Sequence, residues 1–168
     1  MVGAYAQAIG AGGCDSSIQM GANAVPIRRM TAQDAEGIAH LYTQLGYPSS
    51  VSQICARFAA IDGSDDHALF VAQAPDGRVV GTVHVHVPRL LENDPLAEVW
   101  GLVVDAAARG QGIGRELMAE AEAWATARSL RELRLRSNVV RTEAHRFYER
   151  LGYTNTKTQF TFTKTIGA

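Results

Sequence analysis

A glycine-rich stretch decides how this chain is organised: residues 103–118 read VVDAAARGQGIGRELM. The first residues are typical of the end of a buried strand, and from Ile113 onward apolar residues recur at helical spacing, so the glycines join a strand to a helix. Glycine lets the backbone come close to a ligand, and the free amides at a helix N-terminus favour anions. Because Arg109 and Arg115 flank the loop, the stretch predicts a binding site for a pyrophosphate group.

The spacing of the glycines argues against two nucleotide-binding patterns. The dinucleotide fingerprint GxGxxG fails because Arg115 stands where a third glycine is needed after Gly110 and Gly112. The phosphate loop GxxxxGK[ST] fails because neither Lys-Ser nor Lys-Thr stands at the required place. The loop therefore points to a different phosphate-containing ligand.

Two segments together carry a resemblance to a known family. Residues 109–114, RGQGIG, fit the pattern [QR]xxGx[GA], and residues 144–153, AHRFYERLGY, fit AxxxYxxxG[FY] one helix and one strand later. In this order and on these elements, they resemble the acyl-CoA signature and the later helix motif of the GNAT superfamily of N-acetyltransferases. The resemblance covers residues 25–166. It implies an α/β (mixed α+β) fold, with a mixed, mostly antiparallel sheet of roughly six to seven strands flanked by about four helices.

The resemblance implies acetyl-CoA as co-substrate and assigns the residues that hold it. The strand backbone would pair with the pantetheine arm, and the glycine loop would hold the pyrophosphate. One position departs from the family pattern: Arg141 stands where many relatives have Asn, and Asn138 lies one turn earlier, so either side chain can be the one that contacts CoA. The cofactor-binding residues expected on this basis are Leu102, Val103, Val104, Arg109, Gly110, Gln111, Gly112, Ile113, Gly114, Arg115, Asn138 and Arg141.

Family resemblance implies direct attack of an amine on the thioester, with no covalent enzyme intermediate. An aliphatic amine of pKa about 10 is mostly protonated at neutral pH, so it must lose a proton before it attacks. Glu98, at the start of the strand AEVWGLVV, is the expected base, because histone-type acetyltransferases carry a base Glu at a similar strand start. Tyr148 of the later motif is the expected general acid for the CoA thiolate. A backbone amide near Val103 is expected to meet the oxyanion.

Each assignment has a plainer alternative. Glu98 can be a solvated residue at a strand mouth, or a water chain through His84 or His86 can take the proton. Those two histidines share a face of one strand, but no third ligand is patterned nearby, so no metal is expected. Phe147 and Tyr148 can both be core residues, since aromatic residues at helical spacing usually are.

The element pattern predicts one domain after a tail. Residues 1–24 carry a single charge, Asp15, and are expected to form a flexible tail, while residues 25–168 form the domain. The order expected within the domain is β-α-α-β-β-β-α-β-α-β. The final strand is residues 158–166, TQFTFTKTI, where Phe160 and Phe162 alternate with polar residues.

The composition of the chain argues for and against particular partners and cellular compartments. Sixteen basic and 17 acidic side chains give a net charge of −1, which argues against a chain that coats nucleic acid or a membrane, and no apolar run is long enough to span one. Cys14 and Cys55 follow no disulfide or zinc spacing, which favours a reducing cytoplasm. The strong preference for Arg over Lys is typical of a GC-rich bacterial genome.

The sequence alone leaves alternatives for the identity of the amine acceptor and for the oligomeric state. A small-molecule amine competes with a protein N-terminus or lysine, and a non-catalytic acyl-CoA sensor is the alternative to an enzyme. The sequence is also compatible with a homodimer. Acids in two loops mildly favour a cationic acceptor; they are Asp62, Asp65, Asp66, Glu92 and Asp94.

Overall fold

A computed structural model of the chain describes residues 25–167. The tail expected over residues 1–24 lies outside the described residues. The strands are β1 (Ile27–Arg29), β2 (His67–Gln73), β3 (Val79–His86), β4 (Ala97–Val104) and β5 (Leu133–Leu135). The helices are α1 (Ala35–Leu45), α2 (Val51–Ala59), α3 (Ile113–Ala127) and α4 (Thr142–Arg150).

The sheet keeps its strands in chain order, β1-β2-β3-β4-β5. The first four strands pair with one another antiparallel, and β5 pairs with β4 in parallel. This mixed α/β arrangement, with helices on both faces, confirms the fold class expected from the sequence.

Successive side chains of the strands belong to two separate apolar layers, one on each face of the sheet. On one face, α3 buries Leu117, Met118 and Trp124 against the middle strands, and α4 adds partly buried residues to this layer. On the other face, α1 and α2 pack Ile38 and Phe58 against Val71 of β2. The period of two along each strand sends successive residues to opposite layers.

Local signals in the sequence set the start and end of α1. Asp34 accepts hydrogen bonds from the backbone N–H of Thr31 at 2.8 Å and from both terminal nitrogens of Arg28 at 2.8 and 2.7 Å. The helix ends at Gly46, whose φ of +97° lies in the left-handed region that glycine adopts most easily.

The expected strand count was too high, because the sheet of the described chain has five strands. Residues 158–166 form no strand, and every residue from 154 to 167 is exposed, Phe160 by 88% and Phe162 by 92%. A strand needs an edge to pair with, and within residues 25–167 this segment pairs with none.

Candidate active site

The strands β4 and β5 separate halfway along β4. Register pairs join Ala97, Glu98 and Val99 to β5, which then ends at Leu135. Beyond that point β4 keeps its partner β3 on one side only, so the edge from Gly101 to Val104 faces an opening. Of the expected pantetheine-binding residues, Leu102 and Val104 turn backbone groups to this opening, where they can pair with an amide-containing ligand. Val103 turns its backbone groups to β3, as does Asp105, whose N–H donates to the carbonyl of Val80.

The glycine loop lies directly after this free edge. Gly110 and Gly112 have φ of +78° and +86°, and a Cβ built at either position would meet no atom within 4 Å, so a ligand can approach both. Gly112 is the N-cap of α3, and in the described chain the amides of Ile113 and Gly114 donate to no other group. The loop thus presents unused N–H groups at the positive end of a helix of 15 residues.

The other expected loop residues play different parts. A Cβ at Gly114 would lie 3.2 Å from the ring of Phe147, so this glycine permits close packing of α4 on α3. The side chain of Ile113 is buried in the core, which leaves only its backbone for a ligand. Arg109 donates from Nε to the carbonyl of Val104 at 3.2 Å, while Gln111 and Arg115 are exposed.

The two alternatives for a CoA contact before α4 differ in how far they are engaged. Arg141 donates from Nη2 to the carbonyl of Leu45 at 2.9 Å, which ties the start of α4 to the end of α1. Asn138 accepts from the N–H of Val140 at 3.1 Å, a short turn that leaves its side-chain NH₂ free of partners among the described residues.

Tyr148 lies on α4 with its ring against Phe147 and Tyr153, at centroid distances of 5.2 and 6.1 Å. Burial raises the pKa of Tyr148, so its phenol is protonated at neutral pH. The Tyr153 hydroxyl is bound to Glu122 at 2.7 Å, whereas the hydroxyl of Tyr148 makes no hydrogen bond within the described chain. The hydroxyl proton of Tyr148 is therefore not engaged in a hydrogen bond with any described residue.

Glu98 is buried, only 3% exposed, and both of its oxygens are occupied. Arg134 Nη2 lies 3.1 Å from Oε2, and Arg136 Nε lies 3.0 Å from Oε1. This role of Arg134 and Arg136 was not expected from the sequence. The alternation of Arg134 and Arg136 along one strand was the available signal, because it puts both on the face of Glu98.

A cluster of three histidines lies beside Glu98 on the same face of the sheet. His67 Nδ1 lies 3.0 Å from His84 Nε2, and the ring of His86 is 5.4 Å from that of His67. Burial, followed by the neighbouring histidines, lowers the pKa of His84 to about 4, and burial also lowers the pKa of His86. His84 and His86 were expected from the sequence, but His67 was not, because its place opposite His86 depends on the hairpin register.

Nε2 of His86 is buried and has no hydrogen-bond partner among the described residues. Trp100, which the bulge between β3 and β4 leaves unpaired and 66% exposed, sets its ring edge-on to His86 at 5.4 Å. Within residues 25–167, no group of three or more His, Cys, Asp or Glu side chains is arranged to hold a metal ion.

Of the five acids in the two loops, one is paired with an arginine, so the loops carry less net negative charge than five acids alone would give. Asp66 pairs with Arg89 at 2.8 Å, which offsets its charge. The remaining four are exposed to solvent.

Of the helices in the described part of the chain, none combines the length and the apolar character needed to cross a bilayer.

Comparison with known proteins places this geometry in a family. Residues 31–153 match the model of the acetyltransferase (GNAT) family. The chain is 30% identical to the aminoalkylphosphonate N-acetyltransferase of Salmonella typhimurium over 141 residues, which cover 83% of this chain and 90% of that protein. It is also 30% identical to an aminoglycoside N(6')-acetyltransferase of Stenotrophomonas maltophilia, over 81% of this chain and 90% of that one.

A solved structure agrees with this placement. The fold superposes on the glucosamine-6-phosphate N-acetyltransferase of Arabidopsis thaliana with a TM-score of 0.72 at 22% identity, covering 82% of this chain and 97% of that one. At this identity the likeness concerns the fold. With the family model and the two relatives, it leads to one conclusion: the chain belongs to the GNAT family and is an acetyl-CoA-dependent N-acetyltransferase.

Proposed function

We propose that the protein acetylates the primary amine of a small molecule, by direct attack of the amine on acetyl-CoA in a ternary complex. The observation that carries this proposal is the opening between β4 and β5. It has the glycine loop at one end, and α4, which carries the unoccupied hydroxyl of Tyr148, packs against Gly114 of this loop through Phe147. Relatives that act on aminoalkylphosphonates and aminoglycosides support a small acceptor.

The proposed arrangement of acetyl-CoA follows from which backbone groups are free. The pantetheine amides pair with the open edge of β4 at Leu102 and Val104, and the pyrophosphate lies on the amides of residues 110–114. Asn138, with its unused NH₂, is the proposed side-chain contact to CoA, while Arg141 keeps the start of α4 in place through Leu45. Arg109 and Arg115 add positive charge at the rim.

The amine loses its proton towards the Glu98 side of the sheet. Glu98 is the proposed acceptor of this proton, reached directly or through water, and Arg134 and Arg136 hold its carboxylate in place. His86 is the alternative, because its buried Nε2 has no described partner and its lowered pKa keeps the ring neutral at neutral pH.

The attack of the free amine on the thioester carbon forms a tetrahedral intermediate. The backbone N–H near Val103 stabilises its oxyanion. When the carbon–sulfur bond breaks, Tyr148 donates its proton to the departing thiolate, and the products are the acetylated amine and CoA. The Tyr148 phenol suits this step because it is protonated and its hydroxyl is unoccupied.

The acceptor class is tested by measuring thiol release from acetyl-CoA over a panel of amines. The panel contains an aminoalkylphosphonate, an aminoglycoside, an amino sugar phosphate and peptides with a free N-terminus or lysine. Small amines should give kcat/KM values at least about 100-fold above those of the peptides. Higher values for the peptides would contradict a small-molecule acceptor and favour protein acetylation.

We further propose that the activity belongs to a bacterial cytoplasm. Fourteen of the 16 basic residues are Arg, and the two cysteines follow no disulfide spacing. Localisation of the tagged full-length protein by cell fractionation tests this proposal.

A further inference from the structure

The group of side chains around Glu98 carries more positive than negative charge. Arg134 Nη2 lies 3.1 Å from Oε2 of Glu98, and Arg136 Nε lies 3.0 Å from Oε1, so two guanidiniums share one carboxylate. Guanidinium groups stay charged at neutral pH. His86 faces the same group, but burial lowers its pKa, so its ring adds no charge there. Among these four residues, one positive charge therefore has no negative counterpart.

Arg136 is the residue that can offer this charge to a ligand. Its contact with Glu98 uses Nε, and within residues 25–167 no group accepts a hydrogen bond from its two terminal nitrogens. The side chain of Arg136 is 65% exposed, whereas that of Arg134 is 23% exposed. The adjacent N–H groups of a planar guanidinium match the oxygens of a phosphonate, phosphate or carboxylate.

The sheet places Arg136 at the point where β4 and β5 separate. Glu98 is the register partner of Arg134, and Arg136 lies one residue beyond the end of β5. The opening proposed for acetyl-CoA begins at this end of β5. Because Arg136 contacts Glu98, an amine that gives its proton to Glu98 has this guanidinium within the reach of a short carbon chain.

The acids of the two loops do not pair with these arginines. Asp66 is paired with Arg89, and in the described part of the chain no loop acid forms an ion pair with Arg134 or Arg136. The contacts around Glu98 therefore indicate an anionic group in the acceptor, whereas the composition of the loops favoured a cationic one.

We propose that the acceptor carries an anionic group of the phosphonate, phosphate or carboxylate kind a short carbon chain away from its primary amine, and that Arg136 binds this group. The inference rests on the proposed function, because it takes the amine to lie beside Glu98. Arg136 then has two roles, since its Nε holds Glu98 and its terminal nitrogens select the acceptor. A second positive charge in the acceptor is repelled by the same guanidinium, so a polycation such as an aminoglycoside is a poor acceptor.

A series of acceptors with the frame X–CH₂–CH₂–NH₂ tests the charge preference. The group X is a phosphonate in 2-aminoethylphosphonate, a carboxylate in β-alanine, a hydroxyl in ethanolamine and an ammonium in ethylenediamine. After correction for the fraction of free amine, kcat/KM should be at least about 30-fold higher for the phosphonate than for ethanolamine. The carboxylate should fall between these two, and ethylenediamine should be lowest. Added salt should reduce the differences.

Arg136→Gln separates binding of the anion from support of Glu98. Loss of the anion contact should raise the KM for the phosphonate and lower the phosphonate-to-ethanolamine ratio of kcat/KM by about tenfold or more. A role confined to holding Glu98 would lower kcat for both acceptors equally and leave this ratio unchanged. Arg136→Lys keeps the charge and should keep most of the preference.

The matched control is Arg150→Gln, which removes an exposed charge from the last turn of α4, in the apolar layer on the opposite face of the sheet. It should leave the ratio within about twofold of the unsubstituted protein. Circular dichroism and the increase in melting temperature with CoA show that each variant is folded and binds its co-substrate.

The outcomes separate this inference from the proposed function. An unchanged ratio in folded Arg136→Gln would overturn the inference, and so would a preference for ethanolamine or ethylenediamine over the phosphonate. Acetylation of an aminoglycoside but of none of the four amines would also overturn it and would leave the proposed function in place. Acetylation of peptides alone, or of no amine at all, would contradict both.

Discussion

The two residues proposed for proton transfer, Tyr148 and Glu98, lie on opposite faces of the sheet. Tyr148 lies on α4, in the apolar layer that contains α3, and its free hydroxyl has a pKa raised by burial. Glu98 lies on the opposite face, among arginines and histidines. The thiolate and the amine can therefore exchange protons with different groups, which allows each group to be tested by itself.

Tyr148→Phe should keep the ring packing against Phe147 and Tyr153 but remove the proton. We expect the KM for acetyl-CoA to stay within a few fold and kcat to fall about 10²–10⁴-fold, the usual contribution of a positioned acid. Steady-state and single-turnover kinetics with a good acceptor measure both quantities. An unchanged kcat under conditions where chemistry is rate-limiting would contradict the acid role.

Glu98→Gln tests the proton acceptor through the pH dependence of kcat/KM. If Glu98 takes the proton, the loss of rate should be largest near neutral pH and should shrink at high pH, where the amine is already free. His86→Gln, one strand away, is the matched comparison. Equal loss at every pH in Glu98→Gln, together with recovery at high pH in His86→Gln, would assign the proton to His86 and a positioning role to Glu98.

Gly112→Val tests the phosphate site against a control with the same backbone conformation. Gly112 and Gly63 both have positive φ and nothing within 4 Å of a built Cβ, so a side chain at either position costs about 1–2 kcal/mol of stability through strain. Only Gly112 lies at the proposed pyrophosphate site. Thermal unfolding with and without CoA should show a lost melting-temperature increase in Gly112→Val and an undiminished one in Gly63→Val; equal increases in both would remove the loop from the binding site.

At the scale of elements, the register of β2, β3 and β4 creates the histidine cluster beside Glu98. His67, His84 and His86 come from two strands of one hairpin, and Glu98 and Trp100 come from the next strand. The groups facing His86 are Glu98, Arg134, Arg136 and His67. Burial and the neighbouring imidazole of His67 lower the pKa values of His84 and His86.

This cluster should make the protein less stable in mild acid. The pKa of His84 is about 4 in the folded chain and about 6.5 when unfolded, so between these values the unfolded chain binds more protons. The free energy of unfolding should therefore fall as the pH drops from about 6.5 to about 4, by about 3 kcal/mol at most from this residue. Urea denaturation at a series of pH values should show a shallower decline in His84→Gln; an equal decline would mean that other groups cause the acid sensitivity.

Elements that depend on neighbouring residues could be predicted from the sequence. Features that depend on pairing between distant segments were predicted less well. The glycine loop and the helix around Tyr148 depend on neighbouring residues, and both were predicted. The pairing of Glu98 with Arg134 and Arg136 depends on the parallel register of β4 and β5, which are separated by a whole helix. The strand expected at residues 158–166 has the right local pattern, but its pairing needs an edge that local sequence does not specify.

In the molecule as a whole, the end of β5 at Leu135 creates the opening that we propose as the cofactor site. It leaves the second half of β4 with one free edge, just before the glycine loop and the first turn of α3. The sheet thus offers backbone groups for an extended amide-containing arm, and the helix offers amides for phosphate. Both lie on one continuous stretch of chain, which explains why this stretch of sequence alone indicated a ligand with a pyrophosphate group.

The most direct test of this account is hydrogen exchange of the full-length protein with and without CoA. Pairing of the pantetheine arm with β4 and of the pyrophosphate with the loop predicts slower exchange, by about tenfold or more, at residues 101–104 and 110–115. The amides of β1, at the far edge of the sheet, should exchange at an unchanged rate. Unchanged exchange rates at residues 101–104 and 110–115 while CoA is bound would contradict the proposed site.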